Sequence, residues 1–202
     1  AGTDNVSFNG NAGEVQTINI PLGNDTKLEA GETLTLSLGS VSRSGIVITD
    51  TGTVTIQNDD TAAVTIADVS VAENVAGGTA TLTLSLDNAV QGGFTVDVST
   101  SDGSATTADG DYTALSSQTV TFTGNAGESQ TVNITLGADS KLENDETFSV
   151  SMSNSNKSAL TTITDTATVT ITNDDSATLT ISDNTTAENS GSSVVTLSVD
   201  NA

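Results

Sequence analysis

The chain has 202 residues with 26 Asp plus Glu against 4 Lys plus Arg, a formal net charge of -22, and no Cys, His or Trp. Without thiolate or imidazole there is no soft-ligand metal site, no disulfide framework and no Ser-His or Cys-His nucleophile pair. Four cations cannot neutralise a phosphate backbone, so nucleic acid and anionic membrane surfaces are poor candidate partners, and what remains is the chemistry of carboxylate oxygens toward hard cations.

Apolar residues make up 34 % and aromatics 2 % of the chain. They alternate with Thr and Ser in many short runs, the period-2 signal of half-buried strands rather than of a disordered acidic tail. No apolar stretch is long enough to span a membrane, and the AGTDNVSF start lacks a basic region and apolar core, so the piece reads as mature protein or an excised fragment.

An internal repeat organises the whole chain. FNGNAGEVQTINIPLGNDTKLEAGETLTLSL at 8–38 returns as FTGNAGESQTVNITLGADSKLENDETFSVSM at 122–152, a spacing of 114. TGTVTIQNDDTAAVTIAD at 51–68 returns at 166–183, a spacing of 115. Such a period is too long for a solenoid coil and matches one β-sandwich domain. Residues 1–60 are then the C-terminal half of a repeat with its last four strands, 61–175 a complete repeat, and 176–202 the first two strands of a third.

In chain order, the complete repeat is expected to hold strands at 64–71, 79–86, 94–99, 119–123, 130–136, 147–153 and 166–172. Its core is expected to be Val64, Ile66, Leu82, Leu84, Leu86, Val96, Val98, Val120, Phe122, Val132, Ile134, Leu136, Phe148, Val150, Val169 and Ile171. These fill a sandwich about 10 Å thick without Trp. The end pieces are incomplete sandwiches, and a longer repeat array explains them better than strand donation by another copy.

Acidic residues gather between the strands: Glu73, Asp102, Asp139, Glu143, Glu146, Asp174 and Asp175. Connections of this kind converge at one end of a sandwich, where bare carboxylates repel; a like-charge pair 4 Å apart costs roughly 4 kcal/mol at an effective dielectric of about 20. Calcium relieves this best, because it accepts six to eight oxygens in flexible geometry.

AEN at 72–74, SDGSATTADGDY at 101–112, DSKLENDETF at 139–148 and NDD at 173–175, in that order, resemble the Calx-β module of sodium/calcium exchanger regulatory domains and large bacterial surface proteins. The resemblance implies an all-β chain of tandem seven-stranded immunoglobulin-like sandwiches, with Ca2+ held where one domain meets the next. Carried over, the ligands are Glu73, Asp102, Asp139, Glu143, Glu146, Asp174 and Asp175, with a backbone carbonyl near Lys141. The first repeat's equivalents are Asp25, Glu29, Glu32, Asp59 and Asp60, and Glu188 begins a third site. Ala138 and Asn173 stand where calcium-rich exchanger domains have aspartates, which implies fewer or weaker ions. Asp109, Asp111 and Tyr112 read as a structural turn, and Lys27 and Lys141 as charge relief in acidic loops rather than isopeptide donors.

The resulting expectation is a calcium-stiffened repeat stalk of a bacterial cell-surface or secreted adhesin. It is extracellular, its partners are the neighbouring repeats, and any host or substratum contact is made by other regions. Alternatives are a glycan- or protein-recognising module and a calcium sensor. The sequence shows no aromatic outside the expected core except Tyr112, which disfavours the former and, with it, a glycosidase cleft; no enzyme activity is expected. Thr-rich strands spaced by a sandwich period do not form the short stacked coil that ice binding needs.

Overall fold

The computed structural model describes residues 5–157, 161–163 and 165–201. In chain order the strands are β1 Glu32–Ser37, β2 Thr51–Ile56, β3 Ala62–Ile66, β4 Val69–Ala72, β5 Thr79–Leu86, β6 Phe94–Ser101 and β7 Gln118–Phe122. They continue with β8 Ser129–Thr135, β9 Glu146–Ser153, β10 Thr161–Thr162, β11 Thr166–Thr172, β12 Leu179–Ile181 and β13 Leu197–Val199. The chain is all-β, and the described residues hold one short 3-10 turn at Glu188–Ser190.

Two sheets are built from the middle of the chain, in the orders β10-β3-β5-β8 and β4-β11-β9-β6-β7, arranged as a sandwich. Strict alternation produces it. In β5 every second residue, Ala80, Leu82, Leu84 and Leu86, is buried while the intervening Thr and Ser face water. Every residue of the expected core is buried, joined by Leu28, Val90, Phe94, Tyr112 and Met152 among others. Phe94 stacks on Phe122 across β6 and β7, with ring centroids 5.1 Å apart.

The first expected strand of the complete repeat divides in two. β3 pairs antiparallel with β5, whereas β4 pairs parallel with β11 in the other sheet. The break lies at Ala67–Asp68, where Asp68 Oδ1 accepts the Thr168 N–H at 2.7 Å. One segment thus contributes a strand to each sheet of the sandwich, and local alternation carries no sign of the change.

In residues 1–60, β1 and β2 form a hairpin in the register of β9 and β11: Glu32 faces Ile56 as Glu146 faces Ile171. The other two strands expected there are absent among the described residues, and Phe8, Val15, Ile18 and Leu22 are exposed. The cause is pairing. Their counterparts β7 and β8 are held by β6 and β5, whose equivalents this half repeat does not contain, while β9 and β11 hold each other. In the third unit β12 pairs with β13 in the register of β3 and β5.

Candidate metal centre

Two strand ends create the first cluster. β4 and β11 run parallel with Ala72 beside Thr172, so the chain leaves both strands at the same place, and Glu73 N–H donates to Thr172 O at 3.0 Å. Glu73 thereby meets Asp174 and Asp175, with one oxygen of each within 4.8 Å of the others. Glu73 is buried, and its Oε1 accepts the Asp139 N–H at 3.2 Å. Asn74 Nδ2 donates to Asp174 Oδ1 at 2.8 Å. Burial, followed by the charges of Asp139, Asp175 and Glu143, raises the Glu73 carboxyl above its usual range in spite of the Asp139 hydrogen bond.

Asp111, Glu143 and Glu146 form the second cluster at the same spacing. Glu146 opens β9 opposite Ile171, and the isolated bridge between Tyr112 and Leu136 brings the 102–112 loop alongside. Gly137 N–H donates to Asp111 O at 2.8 Å, and a Cβ at position 137 would overlap the Gly110 carbonyl oxygen. Only glycine permits this approach of the two loops. Burial and the neighbouring Asp111 push the Glu146 carboxyl up to about 6, with Glu143 and Asp109 adding to it. Glu73 and the second cluster line one shared concavity with Gly137, Asn144, Ile171 and Asn173.

The expected ligands therefore separate. Glu73, Asp174 and Asp175 come together, and so do Glu143 and Glu146. Asp139 reaches the site through its backbone N–H, while its Oδ1 accepts the Lys141 N–H at 2.7 Å. Asp102 lies in neither cluster: its Oδ1 accepts the Tyr112 hydroxyl at 2.6 Å and the Thr107 N–H at 3.1 Å. Those bonds, the Tyr112 one foremost, hold its carboxyl below the usual range.

Asp111, expected to be a turn residue only, sits with Glu143 and Glu146 as well as accepting the Thr106 N–H at 2.7 Å. The available signal was the Asp-Gly-Asp of the 109–111 turn, which places a second carboxylate two residues after the first. Asp109 exchanges hydrogen bonds with Thr106, its Oδ2 accepting from Oγ1 at 2.9 Å. Tyr112 is not outside the core. It is buried, stacked on Phe148 with centroids 4.0 Å apart, and burial with the Asp102 bond pushes its hydroxyl up to about 12.

In the first unit Asp25, Glu29, Glu32, Asp59 and Asp60 all line one concavity with Asn24 and Asn58. Burial and the charges of Asp59, Asp25 and Glu29 raise the Asp60 carboxyl. Asn58 Oδ1 accepts the Glu29 N–H at 3.0 Å and its Nδ2 donates to Asp60 O at 2.7 Å. Asn173 repeats both bonds, to Glu143 N–H at 3.1 Å and Asp175 O at 2.9 Å. An aspartate cannot supply the second of these, so Asn173 has a role of its own in closing the loop. Lys27 pairs with Glu29 at 3.3 Å and Lys141 with Glu143.

The donor set fits a hard divalent ion. Every side-chain donor is a carboxylate oxygen, and Asp175 Oδ2 is buried with no hydrogen-bond partner among the described residues. A buried anionic oxygen without a partner is costly, and a like-charge pair at 4.8 Å costs roughly 3.5 kcal/mol at an effective dielectric of about 20. A cation coordinated by oxygens removes both costs.

The family model of the Calx-beta domain matches residues 1–68 and again 58–175. Among curated proteins none matches the chain. Among solved structures, the apo-form Calx CBD1 domain is similar at 21 % identity and a TM-score of 0.48, over 57 % of this chain and 100 % of that one. CBD12 from CALX1.2 is similar at 22 % identity and 0.48, over 56 % of this chain and 44 % of that one, so this chain spans less than half of the latter. The Calx CBD2 domain is similar at 14 % identity and 0.42, over 54 % and 86 %.

Proposed function

The chain belongs to the Calx-beta domain family, whose members bind Ca2+, and from that premise we propose that it is a calcium-stiffened stretch of repeats in the stalk of a bacterial surface or secreted adhesin. In this reading residues 1–60, 61–175 and 176–202 are successive immunoglobulin-like repeats, and the stalk works outside the cell. Its partners are its own neighbouring repeats, with neither nucleic acid nor membrane insertion involved and no catalysis. Among the described residues no helix is long and apolar enough to cross a membrane.

The observation that supports the reading most directly is the unpartnered, buried Asp175 Oδ2 beside Glu73 and Asp174. Asp174 and Asp175 stand immediately before the third unit, with only Ser176 and Ala177 preceding its first residues of strand pattern. When bound, calcium supplies the positive charge and coordination that these oxygens lack. Glu73 then ties the end of β4 to the segment leaving β11, which limits the angle at which the next unit departs. Sites of about 10⁻⁴ to 10⁻³ M are substantially filled at millimolar calcium.

Melting temperature and small-angle scattering, measured with calcium and with chelator, test this reading. Calcium at 100 times its dissociation constant adds about 2.7 kcal/mol and a longer, narrower scattering profile is expected. Identical melting and scattering in the two conditions overturn the proposal. Binding of the isolated repeat to a glycan panel, without such stiffening, would favour the recognition module instead.

A further inference from the structure

Leu28 belongs to the acidic loop of the first unit, yet it is 1 % exposed because it is seated in the second. It forms a parallel bridge with Val90: Leu28 N–H donates to Ala89 O at 2.8 Å, and Gln91 N–H donates to Leu28 O at 2.8 Å. The socket is the turn after β5, where Val90 is itself buried and its N–H donates to Gly124 O at 2.9 Å. Both backbone bonds and the side chain of one residue therefore join consecutive repeats.

The equivalent residue one repeat later is Leu142, and it is 48 % exposed. Its loop is already in the same conformation. Asp25 Oδ1 accepts Lys27 N–H at 2.9 Å, and Asp139 Oδ1 accepts Lys141 N–H at 2.7 Å; Asn58 and Asn173 brace the following glutamates alike. The receiving side is repeated too. Asp87 Oδ1 accepts Ala63 N–H at 2.7 Å and Asn88 Nδ2 donates to Thr61 O at 2.9 Å, anchoring the segment that leads into the socket. In the third unit Asp200 Oδ1 accepts Thr178 N–H at 2.6 Å and Asn201 Nδ2 donates to Ser176 O at 3.4 Å.

We propose that Leu142 is an interdomain peg whose partner is a complete repeat joined after residue 175, a second copy of the 61–175 unit, in which it seats at the Val90 turn as Leu28 does. Among the described residues no hydrogen bond reaches the Leu142 backbone, which leaves its N–H and carbonyl ready for the two bonds that Leu28 makes. The peg rests on the reading of the chain as successive repeats but needs no ion to seat. It makes the acidic loop both a metal-facing segment and a mechanical contact, since Leu142 lies between Lys141 and the cluster residue Glu143.

The chain contains no cysteine, so single-thiol labelling is clean. Leu28→Cys and Leu142→Cys are made separately in the 202-residue chain, and Leu142→Cys also in a chain whose residues 176–202 are replaced by a second copy of 61–175. Alkylation rates are read with calcium and with chelator. In the 202-residue chain the thiol at 142 should react at the rate of an exposed residue and the thiol at 28 far more slowly. Restoring a complete following repeat should slow position 142 by about tenfold or more, the factor that burial of a leucine-sized side chain supplies. An unchanged rate at 142 in the extended chain overturns the peg, and because Leu142 is exposed its substitution does not disturb the core. Protection that persists in chelator upholds the peg while counting against calcium as the fastener of the joint, which separates the two proposals.

Discussion

Glu128 closes the GNAGE turn by accepting hydrogen bonds on both carboxylate oxygens. Oε1 takes Thr123 N–H at 2.9 Å and Gln130 Nε2 at 2.9 Å; Oε2 takes Thr123 Oγ1 at 2.9 Å, Gly124 N–H at 2.9 Å and Asn125 N–H at 3.3 Å. Partial burial opposes ionisation, but these bonds outweigh it and hold the carboxyl down to about 2, from 4.5. Glu128→Gln removes the charge and turns an N–H2 toward donors. A shift of that size corresponds to at most about 3.4 kcal/mol, and solvent screening of the half-buried group reduces it to about 1–2 kcal/mol.

The sign follows from the folded carboxyl being more acidic than the unfolded one. Its contribution is present above pH 4.5 and is lost as pH falls through about 2. The assay is urea unfolding in chelator, followed by fluorescence of the chain's single tyrosine, Tyr112, which is buried in the middle unit and so reports on that unit. The stability gap between the parent chain and Glu128→Gln should be constant from pH 6 to 8, narrow below pH 4.5 and close near pH 2. A gap of the same size at pH 7 and pH 3, or none at pH 7, would refute the reasoning.

Asp175→Asn should abolish most of the calcium-induced rise in melting temperature while leaving stability in chelator equal or higher, because an unpartnered buried anion has been removed; calorimetry in both conditions checks it. Gly137→Ala should destabilise the middle unit by about 1–3 kcal/mol, since its Cβ overlaps the Gly110 carbonyl oxygen. It should also weaken calcium binding by displacing Asp111, which a calorimetric titration would read. Tyr112→Phe keeps the stack on Phe148 and loses the donor to Asp102; about 1 kcal/mol is expected by urea unfolding, with the Asp102 carboxyl returning toward its ordinary range by NMR titration. Phe148→Ala opens the centre of the sandwich and should cost about 3–5 kcal/mol in the same measurement.

Strand content and core were legible because burial in a sandwich has the same period as the pleat. A Leu or Val at every second position of β5, β8 or β9 has no other stable place to go. The carboxylate loops were legible for a related reason: charges recur at a spacing of 114 or 115 and fall between strands. The division of β3 from β4 was not, since the residues on both sides alternate in the same way and only the choice of neighbour, β5 or β11, differs. Tyr112 was misplaced because its strand-like bridge to Leu136 is a single residue pair with no period to announce it.

The sequence by itself determined the repeat, the alternating core and the set of oxygen donors, because each is a property of residue type and spacing along one chain. Which donors share a site was decided only by the tertiary structure. Glu73 meets Asp174 and Asp175 through the parallel pairing of β4 with β11, 100 residues apart in the Thr172–Ala72 register, and Asp111 lies with Glu143 and Glu146 while Asp102 accepts the Tyr112 hydroxyl. The same holds for the joint. Leu28 and Leu142 share a Lys-Leu-Glu context, yet Leu28 is buried against Val90 of the following unit and Leu142 is exposed, a difference that the local residues do not carry.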